Sequence, residues 1–181
     1  MTVAPTNNLL RKLFRLRKEM SWGFYICDFI FRRILRQNSG VKWAVHHTST
    51  IHNAERIKRG LNVYPGDSPG VYINAYNGIE IGDYTNIGPQ VALVSVNHDF
   101  IDNEKPQLAA PIVIGKFCWI GNGATLLPGV TLGDFTIVGA GAIVTKSFTD
   151  GYCILAGNPA KIINTLNPQE CKDFASTKNT Y

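Results

Sequence analysis

The chain has 181 residues, 45% of them hydrophobic and only 17% charged, which fits one globular domain and excludes wholesale disorder. Its longest apolar run, Trp22 to Phe31, is broken by Asp28 and falls short of the ~20 residues that a membrane span needs, and no apolar core with a small-residue cleavage site marks a signal peptide. Four scattered cysteines, Cys27, Cys118, Cys153 and Cys171, form no C-x-x-C pair, which argues against a zinc site or disulfide framework and for a soluble protein of the reducing cytoplasm.

The net charge of +5 is uneven. Residues 1–42 hold nine Lys and Arg against two acids, Glu19 and Asp28, giving +7; residues 43–181 hold nine bases and eleven acids, giving −2. The first element is therefore a basic arm, 1–42. In it Leu9, Leu10, Leu13, Phe14, Leu16 and Met20 recur at helical spacing among Arg11, Lys12, Arg15, Arg17 and Lys18. A second segment, Trp22 to Arg36, sets Phe24, Ile30, Phe31, Ile34 and Leu35 beside Arg32, Arg33 and Arg36. Such helices pack their apolar faces on the main domain or a neighbouring subunit, and basic ones can also lie on a membrane surface. No nucleic-acid-binding motif accompanies the charge.

A repeat fills the next region, 43–166. Ile114, Ile120, Leu126, Leu132, Val138 and Val144 are aliphatic residues spaced by six without a break. Gly115, Gly121, Gly133 and Gly139 follow four of them, and Cys118, Ala124, Val130, Thr136, Ala142 and Phe148 lie four positions after each. A helix needs a period near 3.6 and a strand a period of 2. A period of six fits a short extended face, a tight corner and the next face. The aliphatic residue fills the interior, Gly permits the turn, and the small residue leaves room inside the corner. Three faces make a triangular coil of about 18 residues, and stacked coils bury a continuous aliphatic column.

The same phase extends backward. Val45, Ile51, Ile57 and Val63 are six apart, and after the weaker Pro69 and Ala75 it resumes at Ile81, Ile87 and Leu93. The interval from Leu93 to Ile114 breaks the period, so an excursion leaves the coil at 97–111, sequence NHDFIDNEKPQLAAP. Long loops on regular scaffolds tend to carry function. The tail, 167–181, contains QECKDF and predicts a short helix.

Taken together, the six-residue rungs, NHDF at 97–100, CWIGNGATLLPGVTLGD at 118–134, TIVGAGAIVTK at 136–146 and AGNPAKII at 156–163 resemble the hexapeptide-repeat acyltransferases. The resemblance covers roughly residues 45–163 and is nearest to the maltose, galactoside and colanic-acid-type O-acetyltransferases. It implies an all-β fold, a left-handed parallel β-helix, whose hand periodicity alone does not give. It also implies a homotrimer with active sites between neighbouring subunits, acetyl-CoA as donor and no required metal.

Acetyl transfer from a thioester to a hydroxyl needs a base, because a neutral alcohol is a weak nucleophile. An imidazole, titrating near ~6.5, suits that task. Of His46, His47, His52 and His98, only His98 stands at the mouth of the excursion, and it matches the family's catalytic base. Either Asp99 or a backbone carbonyl could orient its ring. Asn74 matches the family position that touches the acceptor, and Trp119 an aromatic near acceptor and pantetheine. Asn122 and Ala140 match positions whose main chain meets the pantetheine amides, although Asn122 replaces a smaller residue often found there. Lys146 and Lys161 match basic positions toward the cofactor phosphates, and Pro159 a residue near the adenine. The cysteines in the rungs, Cys118 and Cys153, read as packed small residues, not nucleophiles. His46 and His47 are adjacent and should point apart on extended backbone, which argues against a metal centre.

The resemblance thus implies an acetyl-CoA-dependent O-acetyltransferase acting on a sugar or polysaccharide precursor. It would be cytoplasmic, with the arm able to reach the inner face of the membrane. N-acetylation of an amino-sugar or xenobiotic by the same base, and a non-catalytic hexapeptide scaffold, are the competing readings.

Overall fold

The structure, a computed structural model, describes residue 17 and residues 19–178. The first amphipathic segment expected in the arm, up to Leu16, lies outside the described residues.

From Thr50 onward the chain winds through three sheets of short parallel strands. One sheet stacks β1 (Thr50–His52), β3 (Tyr72–Asn74), β6 (Ala92–Val94), β11 (Thr125–Leu126) and β14 (Ile143–Val144). The next stacks β2 (Ile57–Arg59), β4 (Ile79–Ile81), β9 (Ile112–Ile114) and β12 (Thr131–Leu132). The third stacks β5 (Asn86–Ile87), β10 (Trp119–Ile120), β13 (Ile137–Val138) and β15 (Cys153–Ala156), and β16 (Lys161–Thr165) closes it antiparallel to β15. A separate hairpin joins β7 (Asn97–His98) to β8 (Pro106–Gln107). Trp119 pairs with Ile137, Thr125 with Ile143 and Val113 with Thr131, so each of these coils is three rungs of six. The rungs are faces of a parallel β-helix.

The rung residues form the core. Leu93, Leu126 and Val144 from the first sheet, Ile114 and Leu132 from the second, and Ile120, Val138 and Leu155 from the third are buried in one column. Each such burial contributes about 1.5–3 kcal/mol. Cys118, Ala124, Val130, Thr136 and Ala142, the small positions, are also buried.

Register corrects the expected phase before Ile81. Ile51 stacks on Ile73 and Ile57 on Ile79, so the first coil is longer than three rungs of six. Ile73 stacks on Leu93, a smaller excess over the same length. Pro69 is therefore not a rung position, and its six-residue spacing is coincidental. The extra residues are absorbed at corners, in the 3-10 turn Ala54–Arg56 and the turns around 62–70. The coil from Leu93 to Leu126 exceeds three rungs of six by the length of the excursion 97–111.

The glycines after the rungs also act differently from the turn role expected of them. A Cβ on Gly115 would meet the Asp134 amide nitrogen at 2.6 Å, and one on Gly121 the Val138 carbonyl at 2.7 Å. They permit close approach of successive coils. Left-handed backbone falls on other glycines, Gly123, Gly129 and Gly141, and on large residues at the corner between the second and third sheets: Tyr84, Phe117, Phe135 and Tyr152 have φ of 58, 55, 55 and 48°. Such a conformation costs about 1–2 kcal/mol per residue. Their rings stack in a ladder at 5.1, 4.9 and 5.7 Å, nearly parallel, and each contact returns about 0.5–1.5 kcal/mol.

At the N-terminal end, α1 (Trp22–Asp28), capped by the Ser21 hydroxyl, runs into a π-helical turn, Phe29–Ile34. Phe24 and Phe31 pack toward His46 and His47 as expected. Ile30, Ile34 and Leu35, expected on the same packed face, are exposed, because Asp28 and Arg32 occupy the buried side. The tail forms α2 (Pro168–Lys178), capped by the Asn167 side chain, and its Phe174 docks edge-on against Phe117. Among the described residues no helix is long and apolar enough to cross a membrane.

Candidate active site

The excursion is an ordered hairpin. Asn97 pairs with Gln107 and His98 with Pro106, and the Asp99 amide donates to the Lys105 carbonyl across the tip. The Asp99 carboxylate accepts from the amides of Ile101 and Asp102, each at 2.9 Å. Those bonds, first from Asp102 and then from Ile101, hold its carboxyl below the usual range. Asp99 is thereby committed to the loop backbone.

His98 is oriented by a carbonyl instead. Its Nδ1 lies 2.5 Å from the Asn103 oxygen. A carbonyl only accepts, so Nδ1 carries the proton, and in the neutral ring Nε2 presents its lone pair. The side chain is exposed, so an acceptor hydroxyl can reach it.

Asn77, which the sequence reading overlooked, ties this hairpin to the coil. Its Nδ2 donates to the carbonyls of Ser95, at 2.7 Å, and Gln107, at 3.1 Å. Its own amide donates to the Ser95 hydroxyl at 2.9 Å. Both legs of the excursion are held by one side chain. An Asn-Gly pair reads from sequence as a turn, and nothing local marks its long-range partners.

The anticipated residues fall on two parts of the coil. Asn74 ends β3 beside Val94 of β6, and its side chain accepts from the Tyr76 amide. His98 leaves the same edge of the first sheet shortly after Val94, and Lys146 follows β14 on that edge, its ammonium 5.6 Å from the Phe148 ring centre. Trp119 lies on the third sheet between Asn86 and Ile137, 54% exposed. It lines an open cavity of about 430 Å³ with Phe117, Phe135 and Phe174. Asn122 and Ala140 occupy the corner that follows this sheet on successive coils, where the Gly141 amide donates to the Asn122 carbonyl at 2.8 Å. The turn at Gly157 and Pro159 continues the row, since the Ile143 amide donates to the Gly157 carbonyl. Asn122, Ala140 and Pro159 are all exposed, as extended contacts to a ligand's amides require. Lys161 begins β16, also exposed. One chain thus brings Asn74, His98 and Lys146 to one edge and carries Trp119 with the Asn122–Ala140 row on another face.

The two cysteines of the rungs are packed in the core. Burial pushes the Cys118 thiol up to about 11, and burial also raises Cys153. Cys118 Sγ donates to the Gly133 carbonyl, so it is a packed neutral thiol. His46 and His47 do not point apart as expected: their rings stack at 4.4 Å, and His46 Nδ1 meets the Thr48 hydroxyl. Among the described residues no group of three His, Cys, Asp or Glu side chains could hold a metal ion.

Residues 111–146 match the family model described as bacterial transferase hexapeptide (six repeats). The galactoside O-acetyltransferase of Escherichia coli (strain K12) is 36% identical over 96 residues, 51% of this chain and 46% of that protein. A maltose O-acetyltransferase from Clostridium difficile 630 is 26% identical with a TM-score of 0.60, covering 87% of this chain and 84% of the other. A galactoside acetyltransferase in complex with coenzyme A gives a TM-score of 0.65 at 24% identity, over 85% and 88% of the two chains, a likeness of fold. The chain spans about half the length of the first curated relatives it matches, 46% and 44%. In motif, sequence and fold, then, the chain is similar to the hexapeptide-repeat acetyltransferases, galactoside and maltose O-acetyltransferases among them.

Proposed function

We propose that the chain is an acetyl-CoA-dependent O-acetyltransferase acting on a hydroxyl of a sugar or polysaccharide precursor, with His98 as general base. The observation that carries the reading is the pairing of His98 Nδ1 with the Asn103 carbonyl, which leaves Nε2 as the acceptor. Nε2 takes the hydroxyl proton as the oxygen attacks the thioester carbon. The tetrahedral oxyanion collapses, the C–S bond breaks, and the imidazolium returns the proton to the thiolate. The products are an acetyl ester and free coenzyme A. The names of the relatives support a sugar acceptor, and the coenzyme A complex of a fold neighbour supports the donor.

Asn74 and Trp119 meet the acceptor, and Trp119 also borders the pantetheine. The main chain at Asn122 and Ala140 pairs with the pantetheine amides, Lys146 and Lys161 face the phosphates, and Pro159 lies against the adenine. The coil is left-handed, as the resemblance implies. Residues 43–166 are the catalytic body, with 1–42 as arm and 167–181 as tail. The working unit is a homotrimer, as the resemblance implies; the two groups of site residues lie on different faces of one chain and would meet across a subunit boundary. Phe100, Ile101 and Leu108, 88, 98 and 81% exposed beside His98, favour a covered excursion.

Thiol release from acetyl-CoA in the presence of a sugar panel tests the proposal. The expected outcome is coenzyme A release that depends on a hydroxyl acceptor. Turnover only with amino-sugars would replace it with N-acetylation, and no turnover together with no acetyl-CoA binding would leave a scaffold.

A further inference from the structure

The segment from Trp22 to Leu35 buries an ion pair and leaves much of its apolar surface exposed. The Asp28 carboxylate turns inward, where Oδ1 accepts from Arg32 Nε at 2.8 Å and from the Val45 amide at 3.0 Å, and Oδ2 from Arg32 Nη2 at 2.6 Å. Arg32 Nη1 donates onward to the Val41 carbonyl at 2.9 Å. Both residues are buried, at 5% and 9% exposure. A bidentate pair whose further lone pairs and donors are engaged fixes which side of the helix faces the coil.

Phe24 and Phe31 pack toward His46 and His47, but the other large apolar side chains of the segment are turned outward. Trp22, Ile26, Phe29, Ile30, Ile34 and Leu35 are 38, 58, 59, 40, 63 and 61% exposed. Arg33 and Arg36 are exposed among them, and Lys42 close behind. Two acids occur in residues 1–42: Asp28 is taken by Arg32, and Glu19 lies 3.8 Å from Arg17. The outward face is therefore apolar and cationic together. Pairing it with the same face of a second copy would set these cations against like charge. An anionic bilayer supplies what both kinds of side chain need, an apolar layer for the aliphatic and aromatic groups and phosphates for the guanidinium groups.

We propose that this face of α1 and the π-helical turn seats the protein on the surface of an anionic lipid bilayer. The helix lies in the interface plane, with Trp22, Ile26, Phe29 and Ile34 inserted and Arg33, Arg36 and Lys42 at headgroup level. The basic residues preceding it in sequence, Arg11, Lys12, Arg15 and Lys18, add charge of the same sign.

Flotation of the full chain with vesicles tests this. Vesicles of phosphatidylcholine alone are compared with an equal mixture of phosphatidylcholine and phosphatidylglycerol, at low and high salt. Binding is expected to the mixture only, weakened by salt. The pair Arg33→Gln and Arg36→Gln should reduce it by roughly tenfold or more, and the pair Ile26→Asp and Ile34→Asp should abolish it. All four side chains are exposed, and the two variants are read separately, so a misfolded one leaves the other decisive. Absence of binding by the full chain, or binding that a folded variant of either pair retains unchanged, overturns the proposal. A lower solution mass for the Ile26→Asp, Ile34→Asp variant without lipid assigns the face to a second copy and overturns it too.

Discussion

A neutral histidine ring offers one nitrogen as base and the other as donor, and at His98 the Asn103 carbonyl fixes which is which. Under the proposed function, His98→Ala should lower kcat by at least ~10²-fold while acetyl-CoA affinity stays near normal. Single-turnover acetyl transfer and isothermal titration with acetyl-CoA measure the two; an unchanged kcat removes His98 from the chemistry. The histidine was legible because it opens a segment that breaks a strict period. The choice between Asp99 and a backbone carbonyl as its orienting partner was not, since the carbonyl that takes the role lies further along the loop and is placed only once the loop closes. The glycines show the same limit. Their spacing betrayed the coil, but their purpose, close approach at Gly115 and Gly121, depends on the next coil's backbone. At one corner left-handed backbone sits on Phe117 and Phe135, where ring stacking offsets strain that residue preferences would assign to Gly or Asn.

At the scale of elements, the excursion is a hairpin hung from two carbonyls, Ser95 and Gln107, that share the Asn77 amide group. Asn77→Ala should leave both without that donor and let the legs spread. The expected result is a kcat loss of roughly ten- to a hundredfold through misplacement of His98, with little change in KM for acetyl-CoA. Steady-state kinetics beside thermal melting separates this from unfolding: a KM rise with constant kcat, or no change in either, refutes the clamp. The extent of the excursion could be read from the period, because the later coils are uniform, each three rungs of six. The first coils resisted, since corner turns at Ala54–Arg56 and 62–70 add residues that leave no mark in hydrophobic spacing. The arm resisted for another reason. Periodicity assumes that apolar residues turn inward, whereas the Asp28–Arg32 pair, bonded to the backbone at Val41 and Val45, took the inner side.

For the whole molecule, the decisive fact is separation. His98 and Asn74 lie at one edge of the first sheet, and Trp119 belongs to the third. A rigid coil cannot fold one face onto another, so a site using both draws them from different copies in the proposed homotrimer. This makes a prediction that no single-chain site shares. His98→Ala and Trp119→Ala proteins, each nearly inactive alone, should regain activity when unfolded together and refolded as a mixture. An intact site needs its histidine from a Trp119→Ala chain and its tryptophan from a His98→Ala chain. With equal, random assembly about a quarter of the interfaces satisfy both conditions, whatever the size of a closed ring. Recovery near that fraction of wild-type thiol release, and none when folded proteins are simply combined, is the expected outcome. If refolding restores each parent's own oligomer but the mixture stays inactive, both residues act within one chain; a Trp119→Ala protein that is active on its own puts Trp119 outside the site.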